Sequence, residues 1–452
     1  MSEHNFDMVV IGGGPAGIEA AAEAGAHGLR TAVVSAMPIG GRATYGSLLP
    51  SKAWLHAAEG AKSSAEARAA GTAGGVAEET TRAGLGALRE RIGQLQAERT
   101  AQLERQLDTV QVERIRGEAK LVNRHTVSVS TDGERRTVTG RNIVIASGSE
   151  PRFFPNVRPD GERIIAPRHT QSLQQVPASI VMVGGGVTGV EYASAFRKMG
   201  SDVHLITDID RLLPRTDPEL AHRLQLCLEE LGVTFTFGSA VERVESDGRT
   251  VRTVASDGAV YESEFGFIAT GRQPDTSLLD GAEERPEVDA GGWIVTDEVG
   301  KTSLPGVYAA GDVVGPPLTA NNAHLFSRRI VASIGGDAPA DAPAIIEAVY
   351  TEPQLAHVGP IAELATDNGA DLTVVTRELS ETLFGRIHGD SGGVLRIWVD
   401  GNTGAIRGAG AFGPHAVELL APVQLAMEHS IPFERLRATP FAHPAAAEVL
   451  TL

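Results

Sequence analysis

Two segments of the chain share one order of features: a short apolar run, a glycine cluster with the spacing G-x-G-x-x-G, and a stretch with helical spacing. The apolar runs, Met8–Ile11 and Ile180–Val183, are typical of buried parallel strands. In such a turn the first glycine permits the bend, the second lets a pyrophosphate approach the backbone, and the third lets the helix pack closely on the sheet. The sequence therefore predicts two doubly wound nucleotide-binding domains and two bound nucleotides. The glycines concerned are Gly12, Gly14, Gly17, Gly184, Gly186 and Gly189.

Net charge and cysteine content exclude several classes of protein. The formal net charge of -17 over 452 residues argues against nucleic acid and against an anionic membrane surface as partners. No apolar stretch is long enough to span a bilayer, and the amino terminus lacks the features of a signal peptide. The only cysteine, Cys227, excludes intrachain disulfides and cysteine-rich metal sites. Its surroundings predict a core position on an amphipathic helix. We expect a cytoplasmic protein without a metal.

The rest of the chain divides by pattern. Residues from about Glu59 to Leu107 are rich in Ala, Glu, Arg and Gln, which predicts two helices joined by a loop at 71–75. The alternation from Val112 to Val129 is typical of sheet strands. From Pro343 onward the pattern predicts a separate α+β domain, with one helix over about 416–429.

The segment Ile39 to Lys52, which reads Ile-Gly-Gly-Arg-Ala-Thr-Tyr-Gly-Ser-Leu-Leu-Pro-Ser-Lys, resembles an active-site segment of the class I pyridine nucleotide-disulfide oxidoreductases. Dihydrolipoamide dehydrogenase and glutathione reductase belong to that family, which carries two redox cysteines between the Gly-Gly and the Pro-Ser-Lys. In this chain the two positions fall on Ala43 and Leu48. Neither side chain can form a thiolate, a disulfide or a flavin adduct.

The resemblance covers nearly the whole chain and is weak only over the helical region from Glu59 to Leu107. It implies an α/β fold with two doubly wound, Rossmann-like domains and a C-terminal α+β dimerisation domain. The FAD-binding domain is expected over residues 1–150 and 274–340, the NAD(P)-binding domain over 151–273, and the dimerisation domain over 341–452. Tyr350-Thr-Glu-Pro353 and the region of Gly408 match the dimerisation domain, so the resemblance implies a homodimer with composite active sites.

The resemblance also implies which residues hold a noncovalent FAD. Asp312, which ends a segment similar to the second FAD motif of the family, is assigned to the ribitol chain, and Ser147 and Gly148 lie in another matching segment. Ser35 stands where an acidic residue is expected to hold a ribose. Either the adenosine end is held elsewhere, or FAD binds less tightly than usual. The other positions assigned to cofactor binding are Gly41, Arg42, Ala119, Gly271, Thr319 and Ala320.

Four residues are assigned to the chemistry through the same resemblance. Lys52 is expected to pair with Glu191 beside the flavin, where an ammonium can stabilise negative charge on the reduced ring and a carboxylate offsets the cost of burying it. The alternative, that the two side chains never meet, stays open from sequence alone. His443 and Glu448 match the family's acid–base histidine and the glutamate that orients it, and the family histidine reaches the flavin of the partner subunit.

The choice of nicotinamide nucleotide depends on the end of the second strand in the second motif. Asp208 can accept a hydrogen bond from the 2′-hydroxyl of NAD, whereas a 2′-phosphate requires a cation there. This residue favours NADH. Arg211 and Arg215 lie close enough in sequence to keep NADPH open, and a solvated loop of charges without a ligand is the structural alternative.

Together these features predict an NAD(P)H-dependent flavoprotein oxidoreductase that does not relay electrons through an internal disulfide. Its acceptor is expected to be small or protein-bound. A flat molecule such as a quinone suits an apolar slot formed by Ala43 and Leu48 and lined by Tyr45, with His443 at its mouth. One alternative is dihydrolipoamide dehydrogenase-like or transhydrogenase activity on an acceptor that supplies its own redox group. Another is a non-catalytic FAD-binding redox sensor.

Overall fold

The computed structural model describes residues 5–69, 85–337, 343–365, 371–389 and 392–452. The chain folds into two compact units, each assembled from separate segments. We call Met1–Pro50, Arg89–Arg152 and Gly271–Ala342 the first unit, and Ser51–Leu88, Phe153–Thr270 and Pro343–Leu452 the second unit. The mixed α/β architecture agrees with the expected fold class. The expected three-domain division stays a prediction.

The first unit is organised around a parallel sheet. The strand Phe6–Ile11 lies between Thr31–Ser35 and the long strand Glu134–Ile145. The end of the long strand also pairs in parallel with Val307–Ala309, whereas its beginning belongs to an antiparallel meander. Besides these four strands, the unit contains Glu113–Arg116, Glu118–Asn123, Thr126–Thr131, Ser149–Pro151 and Arg272–Pro274.

The local sequence explains this arrangement. Residues Met8 to Ile11 are buried, as a central parallel strand with both faces covered requires. The helix Pro15–Ala26 begins at a proline, whose missing N–H costs nothing in the first turn. Its small buried residues, including Ala20 and Ala24, pack in one core with Ile330 of the helix Ala320–Gly335. The sheet edge and two helix N-termini are thereby fixed around the first glycine motif.

The second unit repeats the same plan and adds a larger antiparallel sheet. Its parallel sheet has the order Thr234–Thr236, Asp202–Ile206, Ser179–Val183, Phe265–Ile268 and Ile164–Ile165. A smaller antiparallel sheet consists of Val241–Ser246, Val251–Ala255 and Val260–Ser263. The C-terminal sheet has the order Ile346–Val349, Gln354–Val358, Ile406–Gly413, Val394–Asp400 and Leu372–Glu378.

The helices connect and cover these sheets. The α-helices not yet given are Gly41–Tyr45, Leu48–Ala69, Leu85–Thr109, Val187–Lys198, Pro218–Leu231, Ile361–Leu364, Leu383–Ile387, Ala416–Leu419, Ala421–Glu428 and Phe433–Arg437. Short 3₁₀ helices span Pro167–Ser172, Ser277–Leu279, Gly311–Val314, Leu379–Glu381 and Ala446–Leu450. None of the helices in the described part of the chain is long and apolar enough to cross a membrane.

Two expectations for the helices meet different outcomes. Helices flank the predicted loop at 71–75, but the loop itself lies outside the described residues. The single helix expected over 416–429 is wrong, because the chain forms two helices separated at Leu420. Pro422 explains the break, since it has no N–H to donate to the carbonyl of Glu418 and its ring is tolerated only in the first turn of the second helix.

The core position expected for Cys227 also needs a correction. Cys227 lies on the amphipathic helix Pro218–Leu231, as predicted, but its side chain is only half-buried. The buried face of that helix is formed by Leu220, Leu224 and Leu228, which follow one another at four-residue spacing. Cys227 therefore lies at the flank of this face and not in its centre.

Candidate functional site

The first glycine turn has the geometry that a pyrophosphate requires. Gly12 has φ +117°, and a Cβ on it would lie 2.1 Å from the carbonyl oxygen of Ala146. A Cβ on Gly17 would lie 1.8 Å from the carbonyl oxygen of Gly12, so the helix packs directly on the turn. Nothing lies within 4 Å of a Cβ built on Gly14, which is the N-cap of the helix. This open space at a helix N-terminus fits an anionic phosphate group.

The second glycine turn reproduces the first in detail. Gly184 has φ +116°, and its Cβ would lie 2.3 Å from the carbonyl oxygen of Ala269. The Cβ of Gly189 would lie 1.9 Å from the carbonyl oxygen of Gly184, and nothing lies within 4 Å of a Cβ on Gly186. Gly186 is the N-cap of the helix Val187–Lys198. Each unit therefore carries one turn that fits a dinucleotide.

Gly41 and Arg42 lie beside the first turn. Gly41 has φ +55°, and a Cβ on it would come within 2.9 Å of the Cα of Gly14. Only a glycine allows this close approach. The guanidinium of Arg42 donates to Glu150 Oε1 at 2.7 Å and to Asp275 Oδ2 at 2.8 Å. Arg42, which follows Gly41, is thus a cation next to the first glycine turn, where two carboxylates hold it.

Asp312 is held by two side chains that sequence reasoning missed. Ser149 Oγ donates to Asp312 Oδ2 at 2.6 Å, and Arg272 Nε lies 3.6 Å from the same oxygen. Arg272 also donates to the hydroxyl and the carbonyl of Ser149. Burial lowers the pKa of Arg272, and the charge of Asp312 opposes that shift. The network fixes the Asp312 carboxylate as an acceptor, as a ribitol hydroxyl requires.

Three further residues assigned to FAD also belong to the first unit. Ser35 is the last residue of the strand Thr31–Ser35 and donates through Oγ to the carbonyl of Met37 at 2.8 Å. Thr319 is the N-cap of the helix Ala320–Gly335, and its buried Oγ1 has no hydrogen-bond partner among the described residues. Ser147 Oγ donates to the carbonyl of Asp275 at 2.7 Å.

Two glycines and one strand residue complete the set. Gly148 and Gly271 have φ +79° and +94°, which favour glycine at both positions. Ala119 lies opposite Val129 on a half-buried strand. An orphaned buried hydroxyl at a helix N-terminus, an open phosphate turn and an anchored carboxylate are groups that fit FAD. The first unit is therefore suited to hold it.

Lys52 and Glu191 meet in the second unit. Lys52 Nζ lies 2.7 Å from Glu191 Oε1 and 2.8 Å from Oε2. The Glu191 residue is only 3% exposed. Trp54 of the helix that carries Lys52 packs on Phe196 of the helix that carries Glu191, with ring centroids 5.4 Å apart. The buried carboxylate is compensated by an ammonium, as a buried charge must be.

Tyr350 completes this pair and was not recognised as part of it from the sequence. Its backbone N–H donates to Glu191 Oε1 at 2.9 Å, and the Lys52 ammonium lies 4.4 Å from the centroid of its ring. Burial and then the charge of Glu191 raise the pKa of the Tyr350 hydroxyl. The match of Tyr350–Pro353 to the dimerisation domain was the only sequence signal for this contact.

His443 and Glu448 form a second pair at the end of the chain. His443 Nδ1 lies 3.0 Å from Glu448 Oε2, and the backbone N–H of Ala445 donates to the other carboxylate oxygen. An ionised carboxylate only accepts, so Nδ1 carries the proton. The imidazole is 64% exposed. Its orientation leaves Nε2 as the nitrogen that can exchange a proton with a bound molecule.

Asp208 and its neighbouring arginines differ in their surroundings. Asp208 is exposed after the strand Asp202–Ile206. Arg211 donates to the carbonyl of Pro214, and Arg215 forms an ion pair with Glu347 at 2.9 Å. Among the residues that the structure describes, no group of three or more His, Cys, Asp or Glu side chains could hold a metal ion.

Comparisons with known proteins match the chain along its length. Residues 6–325 match the family model described as pyridine nucleotide-disulphide oxidoreductase, and residues 345–452 match the dimerisation domain of that family. The chain is 31% identical to a dihydrolipoyl dehydrogenase of Chlorobaculum parvum, over 99% of this chain and 96% of the relative. It is 32% identical to a dihydrolipoyl dehydrogenase of Chlorobaculum tepidum, over 98% and 95% of the two chains.

Solved structures are also similar to this chain over nearly its whole length. LpdA from Mycobacterium tuberculosis superposes with a TM-score of 0.90 at 27% sequence identity, covering 98% of each chain. The HOCl-induced flavoprotein disulfide reductase RclA from Escherichia coli, solved as a Cu(II) complex, has a TM-score of 0.85 at 26% identity. That match covers 100% of this chain and 98% of RclA.

Proposed function

Since this chain belongs to the pyridine nucleotide-disulphide oxidoreductase family, we propose that it passes electrons from NADH through FAD to an acceptor such as a quinone, without an internal redox disulfide. Members of the family are flavoprotein oxidoreductases that depend on FAD and NAD(P)H, and this chain is one of them. Its C-terminal match to the dimerisation domain supports a homodimer. The acceptor, the preference for NADH and the roles of individual residues are the proposal.

One observation carries the proposal. The Lys52–Glu191 and His443–Glu448 pairs are both formed, although the chain has no sulfur at the two positions where the family has its redox cysteines. Ala43 lies on the short helix Gly41–Tyr45, and Leu48 begins the next helix with 46% of its surface exposed. The only cysteine, Cys227, lies on the helix Pro218–Leu231, and one thiol cannot form an intrachain disulfide. An acceptor that takes electrons directly from the cofactor does not need the missing sulfur.

FAD, when bound, supplies the two-electron chemistry that connects a nicotinamide to the acceptor. The residues that we propose to hold it are the glycines of the first turn, Asp312, Thr319 and Arg42. The Lys52 ammonium, held by Glu191, is proposed to stabilise negative charge that develops on the cofactor. Because Glu191 is buried and fully paired, the ammonium keeps its position without a large cost of reorganisation.

His443 is proposed to supply the proton that the reduced acceptor requires. Glu448 holds Nδ1, so the imidazolium presents Nε2–H to an acceptor oxygen and donates that proton as the oxygen gains negative charge. The ring is exposed enough to regain a proton from solvent. In this role His443 acts on the acceptor and not on a thiol.

The test separates the two halves of the reaction. In anaerobic stopped-flow measurements, His443→Ala should leave flavin reduction by NADH near wild type and slow reoxidation by a quinone by about 10²-fold or more. Glu448→Gln should give a smaller loss, because an amide still accepts from Nδ1. His429→Ala, an exposed histidine of the same domain, is the matched control and should change neither rate. Equal reoxidation rates in His443→Ala and wild type would overturn this role.

A second candidate is favoured by the names of the curated relatives. Several of these relatives are dihydrolipoyl dehydrogenases. If this chain has the same activity, the sulfur that its own sequence lacks must be supplied by the acceptor, as in a lipoyl-type disulfide. A screen of acceptors on the reduced protein separates the candidates. Reoxidation by quinones but not by lipoamide supports the first, and the reverse supports the second. Reduction by NADH without reoxidation by either supports a redox sensor.

A further inference from the structure

The loop 207–213, which contains Asp208, is folded against the second glycine turn. Leu213, buried and with φ +49°, donates its backbone N–H to the carbonyl of Gly185 at 3.0 Å. At the other end of the loop, the side chain of Thr207 would lie 3.2 Å from a Cβ on Gly185. Because both ends of this stretch contact the turn, the arginines within and just after it lie beside the nucleotide site.

Both arginines already have a partner in the structure. Arg211 Nη2 donates to the carbonyl of Pro214 at 2.7 Å, which turns the guanidinium back on its own loop. Arg215 Nη2 lies 2.9 Å from Glu347 Oε2. Glu347 belongs to the strand Ile346–Val349 of the C-terminal sheet, so its carboxylate comes from outside the nucleotide-binding sheet.

The same antiparallel sheet also fixes the far end of the loop. Asp217, 1% exposed, forms an ion pair with Arg396 and caps the helix Pro218–Leu231 by accepting from the N–H of Glu219. Leu220 of that helix lies against Gly410, where a Cβ would come within 2.4 Å of it. These contacts fix the backbone before and after Arg215 and hold this residue close to Glu347, so the ion pair is what directs the Arg215 side chain away from the nucleotide site.

We infer that Glu347 is a specificity-determining residue that favours NADH by neutralising Arg215. A 2′-phosphate at this site would meet the Asp208 carboxylate, and the charge of Arg215 would already be balanced by Glu347. A 2′-hydroxyl carries no charge and only needs Asp208 as an acceptor. The inference rests on the nicotinamide site in the proposed function. It adds Glu347, which lies outside the second glycine motif and the strand that follows it.

The experiment measures binding as well as rate. Glu347→Gln keeps the shape of the side chain and releases Arg215 from its ion pair. In calorimetric titrations of the FAD-loaded protein, the affinity for 2′,5′-ADP should rise by about 3- to 5-fold, the worth of an exposed ion pair. The affinity for 5′-AMP should stay within twofold of wild type. In stopped-flow flavin reduction, the efficiency of NADPH relative to NADH should rise by a similar factor.

Two further variants show whether Arg215 is the cation. The double variant Glu347→Gln with Arg215→Met should lose the gain. Glu378→Gln is the matched control, because it breaks the similar Arg223–Glu378 pair elsewhere in the second unit, and it should leave the ratio unchanged. An unchanged affinity for 2′,5′-ADP in Glu347→Gln, or a gain that survives in the double variant, would overturn the inference.

Arg215→Met alone keeps the test decisive if Glu347→Gln does not fold. Because Arg215 is already neutralised, this variant should leave binding of NADH and of 5′-AMP unchanged, and a clear loss of either would overturn the inference. A wild-type preference for NADPH would contradict the donor in the proposed function. It is a separate outcome, since the effect of Glu347 is measured relative to wild type.

Discussion

The hydroxyl of Tyr45 lies 2.6 Å from Oγ1 of Thr100, and Oγ1 of Thr100 donates to the carbonyl of Ile39 at 2.7 Å. Because the proton of Thr100 goes to that carbonyl, the Tyr45 hydroxyl is the donor in the first contact. Gln96 also donates to the carbonyl of Thr44 at 3.2 Å. These bonds tie the segment that lacks the redox sulfur to the helix Leu85–Thr109, and so fix the position of the Tyr45 ring.

Thr100→Val should destabilise the protein by about 1–2 kcal/mol, because it removes one hydrogen bond from the half-buried Tyr45 hydroxyl and one from the carbonyl of Ile39. Tyr45→Phe should cost about 1 kcal/mol, and the double variant should cost less than the sum. Thr109→Val, which removes an exposed hydroxyl bond on the same helix, should stay within about 0.5 kcal/mol of wild type. Denaturant unfolding measures all four. Additive losses in the double variant would show that the two hydroxyls do not act together.

Glu191→Gln should raise the reduction potential of the bound flavin if the Lys52–Glu191 pair lies beside it, because the ammonium loses its compensating charge. Lys52→Met should lower the potential for the opposite reason. Each variant should also destabilise the fold, because it leaves the other charge of the pair without its partner. The loss should be limited to about 1–3 kcal/mol, because Lys52 is one-third exposed and solvent screens part of the interaction.

The control for this prediction is a second ion pair, Lys198–Glu59, between the same two helices. Lys198 Nζ lies 2.5 Å from Glu59 Oε2, and the Lys198 side chain is 4% exposed. Glu59→Gln should therefore destabilise the protein without moving the flavin potential. Spectroelectrochemical titration separates the cases. A potential that stays the same in Glu191→Gln, Lys52→Met and Glu59→Gln alike would assign the Lys52–Glu191 pair a purely structural role.

The parts of the fold that sequence reasoning reached are those fixed by local spacing. The strand, turn and helix around Gly12 and around Gly184 follow from residues that are neighbours in the chain, so periodicity and glycine placement predict them. The break at Leu420 was also present in the sequence as Pro422, but the apolar pattern on either side favoured a single helix.

The parts that could not be predicted depend on residues far apart in the chain. Arg42 meets Glu150 and Asp275 only because the crossover strands bring three distant segments to one place. In the contact of Tyr350 with Glu191 the donor is a backbone N–H, and the pattern of side chains in the sequence cannot predict such a bond. The sequence supported a pairing of Lys52 with Glu191 only through the family resemblance, and the distance between their charged groups now excludes the alternative that they never meet.

Glu19 gives a prediction for acid stability. His324 Nδ1 and Arg328 Nε both bond its nearly buried carboxylate, and these bonds, that of His324 first, lower its pKa below the usual value. A carboxylate with a lowered folded-state pKa stabilises the fold above its unfolded pKa. That contribution begins to disappear as the pH falls below about 5 and is gone below the folded pKa.

Glu19→Gln should therefore cost about 1–2 kcal/mol at pH 7, where the wild-type carboxylate is charged, and almost nothing in strong acid. The thermal midpoints of the two proteins, measured from pH 7 down to pH 3, should converge as the pH falls. Glu23→Gln, one turn further along the same helix at a more exposed position, should run parallel to wild type. A constant gap between Glu19→Gln and wild type would show that charge is not the source of the difference.

The absence of sulfur at Ala43 and Leu48 predicts how many electrons each active site can store. In relatives with the disulfide, flavin and disulfide together take up two electron pairs, and a thiolate beside oxidised flavin gives a long-wavelength charge-transfer band. Here Cys227 is a single thiol on the helix Pro218–Leu231, so no intrachain disulfide can accept a pair.

Anaerobic titration with dithionite should reach fully reduced flavin at one two-electron equivalent per FAD. No thiolate charge-transfer band should appear, although a band between NAD⁺ and reduced flavin is expected when NADH is the donor. Uptake of a second two-electron equivalent per FAD would reveal another redox centre and contradict electron transfer by flavin alone.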